Sequence, residues 1–348
     1  LAIEVTGETA MNRTPLRAMA FSLLLIVGAT GVVGAASSSQ KAVPKVAPKI
    51  DCVAVRGKSP IKIESRCMRL EFNGGTRTYR LYKPKEATKP LALLLALHGG
   101  GGSGSAMEIV TLGQLNRIAD KQGVVVVYPD GIDRGWNDGR ADRRMDQSSE
   151  AVNDVEFLRA LVAHIATQVS INPNRIYATG ISNGGLMSFR LACDAADLFA
   201  AIAPVAANLS VELARECKPS RMISIAMMNG TDDPMMPWLG GDIKVLGLRR
   251  GEVLSTQDSF EQWSRIGDCA LPITHMERNR AADDGTSLVR HVAHECKNNS
   301  EVRLYEILGG GHTWPGGYQY LEPRLVGKVS HELNASEEIW KFFAAHGR

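Results

Sequence analysis

Continuous apolar runs separated by stretches of helical spacing constrain this chain more than any other feature. Residues 91–97, 124–128, 175–179, 222–228 and 302–307 are largely apolar without alternation, as strands covered on both faces should be. Between them, residues 112–121, 152–169, 185–194 and 253–266 place apolar side chains at helical intervals. This β/α alternation predicts an α/β fold with a mostly parallel central sheet flanked by helices. Residues 67–72 and 76–82 flank Asn73-Gly74-Gly75 and read as an antiparallel hairpin leading into it. The last helix, over 335–346, carries Ile339, Trp340, Phe342 and Phe343 as a stripe for packing on the sheet. At 348 residues and 44% hydrophobic, with no internal repeat, the chain has enough apolar material for one large core. The expected domain spans 51–348.

The N-terminal region reads differently. Arg13 and Arg17 follow Met11, residues 18–36 are uncharged, and Val33-Gly34-Ala35-Ala36 supplies small residues. That order predicts a secretory signal over 11–36, with 1–10 as upstream translation and 37–50 as a Pro/Lys linker. Secretion or export to a periplasm follows, with no membrane association once the signal is cleaved. The alternative is an uncleaved anchor, since the run nearly reaches the ~20 residues that span a bilayer. Six cysteines agree with export. They fall into the local pairs Cys52 with Cys67, Cys193 with Cys217 and Cys269 with Cys296, from about 15 formal connectivities. Forty Lys plus Arg against 37 Asp plus Glu leaves no nucleic-acid footprint. The sequence calls for no cofactor and no metal: His291, His294 and Cys296 continue a strand whose side chains would face opposite ways.

Gly180-Ile181-Ser182-Asn183-Gly184 joins the run at 175–179 to the helix at 185–194. A serine on a sharp strand-to-helix turn fits a nucleophile elbow, the flanking glycines allowing strained backbone and close helix–strand approach. Serine needs a base, and the α/β-hydrolase chain order is Ser, then Asp or Glu, then His. Asp233 follows the run at 222–228, and His312 follows the run at 302–307. All three leave carboxyl ends of strands, the rim where parallel sheets bind ligands. Asp232 is the alternative acid. An oxyanion hole needs backbone N–H donors; Asn183 and the glycine loop His98-Gly99-Gly100-Gly101-Gly102 provide them, with Gly100 the nominated early donor and Gly99 and Gly101 next. Trp136, Trp238 and Trp314 adjoin this rim as candidate walls for an aromatic acyl group or sugar. For Trp136 and Trp238, core packing is an equal alternative.

Leu97-His98-Gly99-Gly100-Gly101-Gly102, Tyr128-Pro129-Asp130-Gly131, Trp136-Asn137-Asp138-Gly139-Arg140, Gly180-Ile181-Ser182-Asn183-Gly184-Gly185, Ala203-Pro204-Val205-Ala206, Gly230-Thr231-Asp232-Asp233-Pro234 and Gly309-Gly310-Gly311-His312-Thr313-Trp314-Pro315-Gly316-Gly317 together resemble the secreted polyhydroxybutyrate depolymerase-like and feruloyl esterase family, which has relatives in carbohydrate esterase family 1. The resemblance runs in order over about residues 67–346. It implies an α/β-hydrolase, the triad Ser182, Asp233 and His312, and the cysteine pairs 193 with 217 and 269 with 296. Asn229 departs from the pattern, where relatives often carry His. The implied activity is serine carboxylic-ester hydrolysis through an acyl-enzyme. With no Thr-rich linker or adsorption domain following, soluble feruloyl or aryl esters lead as substrates, ahead of hydroxyalkanoate oligomers or other polyesters and acetylated xylan. A catalytically inactive carbohydrate-binding protein on the same fold is the reading from another class, and a serine peptidase is a third.

Overall fold

The computed structural model describes residues 51–54, 58–86, 90–140, 152–245, 247–276 and 284–348. The upstream translation, signal and linker expected over 1–50 lie outside the described residues. Within them, β1 (Arg66–Phe72) and β2 (Gly75–Tyr82) form the entry hairpin, followed by β3 (Leu91–Leu97), β4 (Val124–Pro129), β5 (Ile171–Ile181), β6 (Ala201–Val205), β7 (Ser224–Gly230), β8 (Gly241–Val245), β9 (Leu248–Val253), β10 (Ile273–Met276), β11 (Ser287–Cys296) and β12 (Ser300–Leu308). Ten of these make one sheet, ordered β1-β2-β4-β3-β5-β6-β7-β12-β11-β10. Its central strands from β4 to β12 are parallel, and its outer strands pair antiparallel. The helices are α1 (Gly104–Val110), α2 (Gln114–Gln122), α3 (Asp154–Gln168), α4 (Asn183–Asp194), α5 (Val211–Glu216), α6 (Thr256–Ile266), α7 (Pro323–Val326) and α8 (Ala335–Ala345).

The unbroken apolar runs have the expected cause. Every residue of β3, β4 and β7 is buried, because helices cover both faces of the sheet. Side chains alternate across each strand. Leu93, Leu95 and Leu97 join Phe157, Phe189 and Trp263 on one face; Leu94 joins Met107, Leu115, Tyr177 and Phe343 on the other. The α8 stripe lies in this second layer, with Phe343 stacked on Tyr177 at 4.7 Å between ring centroids. Disulfides join Cys52 to Cys67, Cys193 to Cys217 and Cys269 to Cys296.

Several features differ from the sequence reading. β6 is a central strand although Ala201, Ala203 and Pro204 give it weak strand propensity; its five residues are all buried between β5 and β7, so burial overrides propensity. The β8–β9 hairpin carries Lys244, Arg249, Arg250 and Glu252 and has no apolar period to betray it. The helix after the elbow begins at Asn183 rather than 185. Among the described residues, no helix is long and apolar enough to cross a membrane.

Candidate active site

Ser182 sits where β5 ends and α4 begins, with φ 56° and ψ −121°. A non-glycine residue at positive φ is strained and is tolerated only where its surroundings enforce it. They do so here. Ser182 N–H donates to the Val205 carbonyl at 2.9 Å, and a Cβ on Gly180 would lie 2.5 Å from the Gly184 backbone. A Cβ on Gly184 would collide with the Leu97 carbonyl. The two glycines thus let helix and strand close over the turn.

The other two predicted residues meet each other. His312 follows β12 and Asp233 follows the neighbouring β7, and His312 Nδ1 lies 2.7 Å from Asp233 Oδ2. Both side chains are buried, at 4% and 2% exposure. The second carboxylate oxygen of Asp233 accepts the N–H groups of Met235 and Met236, each at 2.8 Å. Asp232 is exposed and, among the described residues, its side chain takes only the Thr231 hydroxyl. Behind His312, the Tyr320 hydroxyl donates to its carbonyl at 2.8 Å. Burial and the negative charge of Asp233 push the Tyr320 phenol upward, so it remains a donor at neutral pH.

The glycine loop lies against the elbow. A Cβ on Gly99 would be 3.4 Å from Ser182 Cβ, and one on Gly100 would be 3.7 Å from Asn183 Cβ. Gly101 and Gly102 donate their N–H groups to Arg134 and Gly99. Those of Gly100 and Asn183 meet no protein acceptor among the described residues. His98 braces the loop: its Nδ1 bonds the Gly99 carbonyl at 2.8 Å, and its Nε2 accepts Gly131 N–H at 3.0 Å. That pairing requires the neutral ring, and burial lowers the His98 pKa in the same direction.

The tryptophans require a correction. Trp136 and Trp314 have no exposed surface and offer no face to a substrate. The Trp314 indole donates to Ser336 Oγ at 3.1 Å within the core. The Trp136 indole donates to the His98 carbonyl at 2.9 Å. A fully buried indole needs an acceptor for its N–H, and each finds one in the interior. Trp238 is half-buried and keeps surface beside the Asp233 turn.

Several residues near the rim carry no role in the sequence reading. Asp138 accepts from Asn183 and pairs with Arg140; Asp154 accepts Asn137 N–H at 2.8 Å while paired with Arg77 at 2.9 Å. Trp136-Asn137-Asp138-Gly139-Arg140 was the available signal. Asn229 donates from Nδ2 toward Ala207, Asn208 and Thr256 beneath the acid turn. His291, the metal candidate set aside from sequence, bonds Thr274 and Glu306.

The prolyl oligopeptidase family matches residues 114–228, which include the elbow. The acetyl xylan esterase from Aspergillus awamori superposes with a TM-score of 0.53 at 12% identity, over 80% of this chain and 99% of that one, a likeness of fold. Feruloyl esterase B of Piromyces equi is 30% identical over 230 residues, 64% of this chain but only 40% of that longer protein. A putative esterase, NocK, of Nocardia uniformis subsp. tsuyamanensis is 33% identical over 280 residues, covering 77% of this chain and 79% of the relative. Likeness over that much of both chains, on an α/β-hydrolase sheet, means that this chain belongs to the polyhydroxybutyrate depolymerase-like and feruloyl esterase family and is a carboxylic-ester hydrolase.

Proposed function

We propose that Ser182, His312 and Asp233 form the catalytic triad of a secreted or periplasmic serine esterase acting mainly on feruloyl, aryl or related soluble esters. The observation that carries this reading is the buried 2.7 Å contact between His312 and Asp233, on the same strand-end rim as the strained Ser182. In this scheme His312 Nε2 takes the Ser182 hydroxyl proton as Oγ attacks the ester carbonyl. Asp233 fixes the tautomer and stabilises the imidazolium. The N–H groups of Gly100 and Asn183 hold the oxyanion, the alcohol leaves with the proton from His312, and water releases the acyl group by the same steps. The three disulfides and the apolar segment at 18–36 support export, with 51–348 as the catalytic domain.

Ser182→Ala should abolish turnover of 4-nitrophenyl acetate and labelling by a fluorophosphonate; full activity in that variant overturns the reading. A second substrate class has its own support. Ile132, Leu239 and Leu321, with Leu248 at the start of β9 and Leu325 in α7, are exposed large apolar residues in the segments that follow the strands of this rim, Leu239 at 86% exposure, and they suit a hydroxyalkanoate oligomer or another polyester. Initial rates on methyl ferulate, hydroxybutyrate oligomers and acetylated xylan distinguish the classes: preference for the oligomers displaces aryl esters as the main substrate.

A further inference from the structure

Asn183 is a candidate oxyanion donor through its backbone, yet its side chain is buried as well, at 4% exposure for the residue. The amide oxygen accepts Trp136 N–H at 2.8 Å, and the amide nitrogen donates to the Trp136 carbonyl at 3.0 Å. The side chain thus pairs with both backbone polar groups of one residue, as a neighbouring strand would. The same nitrogen donates to Asp138 Oδ2 at 2.6 Å. Asp138 is held in turn by Arg140, whose Nε lies 3.1 Å from it and whose Nη1 donates to the Arg250 carbonyl of β9 at 2.9 Å.

The other side of Trp136 faces the other donor. Its indole N–H donates to the His98 carbonyl at 2.9 Å, two residues before Gly100, and its ring lies 4.9 Å from the His98 ring. One buried residue is therefore bonded through its main chain to the elbow and through its side chain to the glycine loop. The spacing between two backbone donors that share an oxyanion must be held to within about 0.5 Å. Neither donor has another side chain of its own to fix it, since Gly100 has none and Asn183 directs its amide to Trp136 and Asp138.

We infer that Trp136, with Asp138 and Arg140 behind it, is a positioning residue that sets the separation and aim of the Gly100 and Asn183 N–H groups. This rests on the triad reading above. Trp136-Asn137-Asp138-Gly139-Arg140 is then part of the oxyanion hole's scaffold, and Asn183 acts through its backbone while its side chain keeps that backbone in place.

Two variants test it. Trp136→Phe retains an aromatic ring and deletes the bond to His98; Asn183→Ala retains the N–H donor and deletes all three side-chain bonds. Active sites are titrated with a fluorophosphonate, so that loss of folded protein is not mistaken for loss of catalysis. Removal of an oxyanion donor typically lowers kcat by about 10²–10³; a donor kept but misaimed should lower kcat/KM per active site by about 10- to 100-fold. The Ki of phenylboronic acid, whose tetrahedral adduct presents an oxygen to the same donors, should weaken in step. If either variant keeps kcat/KM per active site and boronate Ki within about twofold of wild type, while Ser182→Ala is inactive, the positioning role is overturned and the triad stands. Activity in Ser182→Ala instead removes the triad reading on which it rests.

Discussion

His312 directs Nδ1 to Asp233 at 2.7 Å and not to Asp232, although the two carboxylates are adjacent in sequence. The turn after β7 settles the choice, because Met235 and Met236 donate to Asp233 Oδ1 and leave Oδ2 facing the ring. Asp233→Asn keeps an oxygen for those two donors but loses the charge that favours the imidazolium. Its kcat should fall by about 10³- to 10⁴-fold with little change in melting temperature. Asp232→Asn should stay within about twofold of wild type, since that exposed group bonds the Thr231 hydroxyl and not His312. Steady-state rates on 4-nitrophenyl acetate check both, and equal losses in the two variants contradict the assignment.

The elbow makes a prediction about stability. An added Cβ on Gly180 meets backbone atoms of Gly184 at 2.5 Å, and backbone cannot rotate away as a side chain can. Gly180→Ala should destabilise the protein by about 3 kcal/mol or more. Gly100→Ala makes a contrast at the same rim. Its Cβ would find Asn183 Cβ at 3.7 Å, an ordinary contact, so its stability should change by under about 1 kcal/mol. Chemical denaturation of the two variants gives the comparison, and comparable midpoints would show that the turn can open.

Replacing Cys193 and Cys217 together by alanine tests how far the elbow helix depends on its tether. The bond links the end of α4 to the residue after α5 across a sequence separation of 24, and its loss should cost about 2–4 kcal/mol, through a less restricted unfolded chain. Ser182 lies at the opposite end of α4, so kcat should stay within about threefold. A large fall in kcat at unchanged stability would mean that the tether shapes the site directly.

Much of the fold is legible in the sequence because both faces of the central strands are covered, which leaves Leu91–Leu97 and Val124–Pro129 almost entirely apolar. The strand-end positions of Ser182, Asp233 and His312 are legible for a related reason, since each follows such a run. The tryptophans are not. An indole offers the same apolar body and single donor to a substrate or to a buried carbonyl, and only depth separates the two uses. Trp136 meets the His98 carbonyl and Trp314 meets Ser336, partners 38 and 22 residues away in sequence. Asp138 is hidden in the same way, because its partner Asn183 lies 45 residues along the chain. The β8–β9 hairpin escapes notice because its strands are half-buried or exposed and rich in charge, with Ile243 and Val253 alone fully buried, and two such residues set no period.

His98 gives the pH dependence a definite sign. In the fold its Nε2 must accept the Gly131 N–H, and a proton there would set two donors against each other. Burial lowers its pKa below the ordinary histidine value, whereas the unfolded chain protonates near about 6.5. As pH falls through that value, the unfolded state binds a proton that the folded state refuses, so stability present above about 6.5 is lost toward the lower folded pKa. His98→Asn substitutes an amide that can donate and accept without titrating. Melting temperatures across pH 4–8 should therefore fall less steeply on the acid side in the variant than in the wild type. Parallel curves would show that His98 accommodates its proton, and that the bond to Gly131 is not what holds the glycine loop beside Ser182.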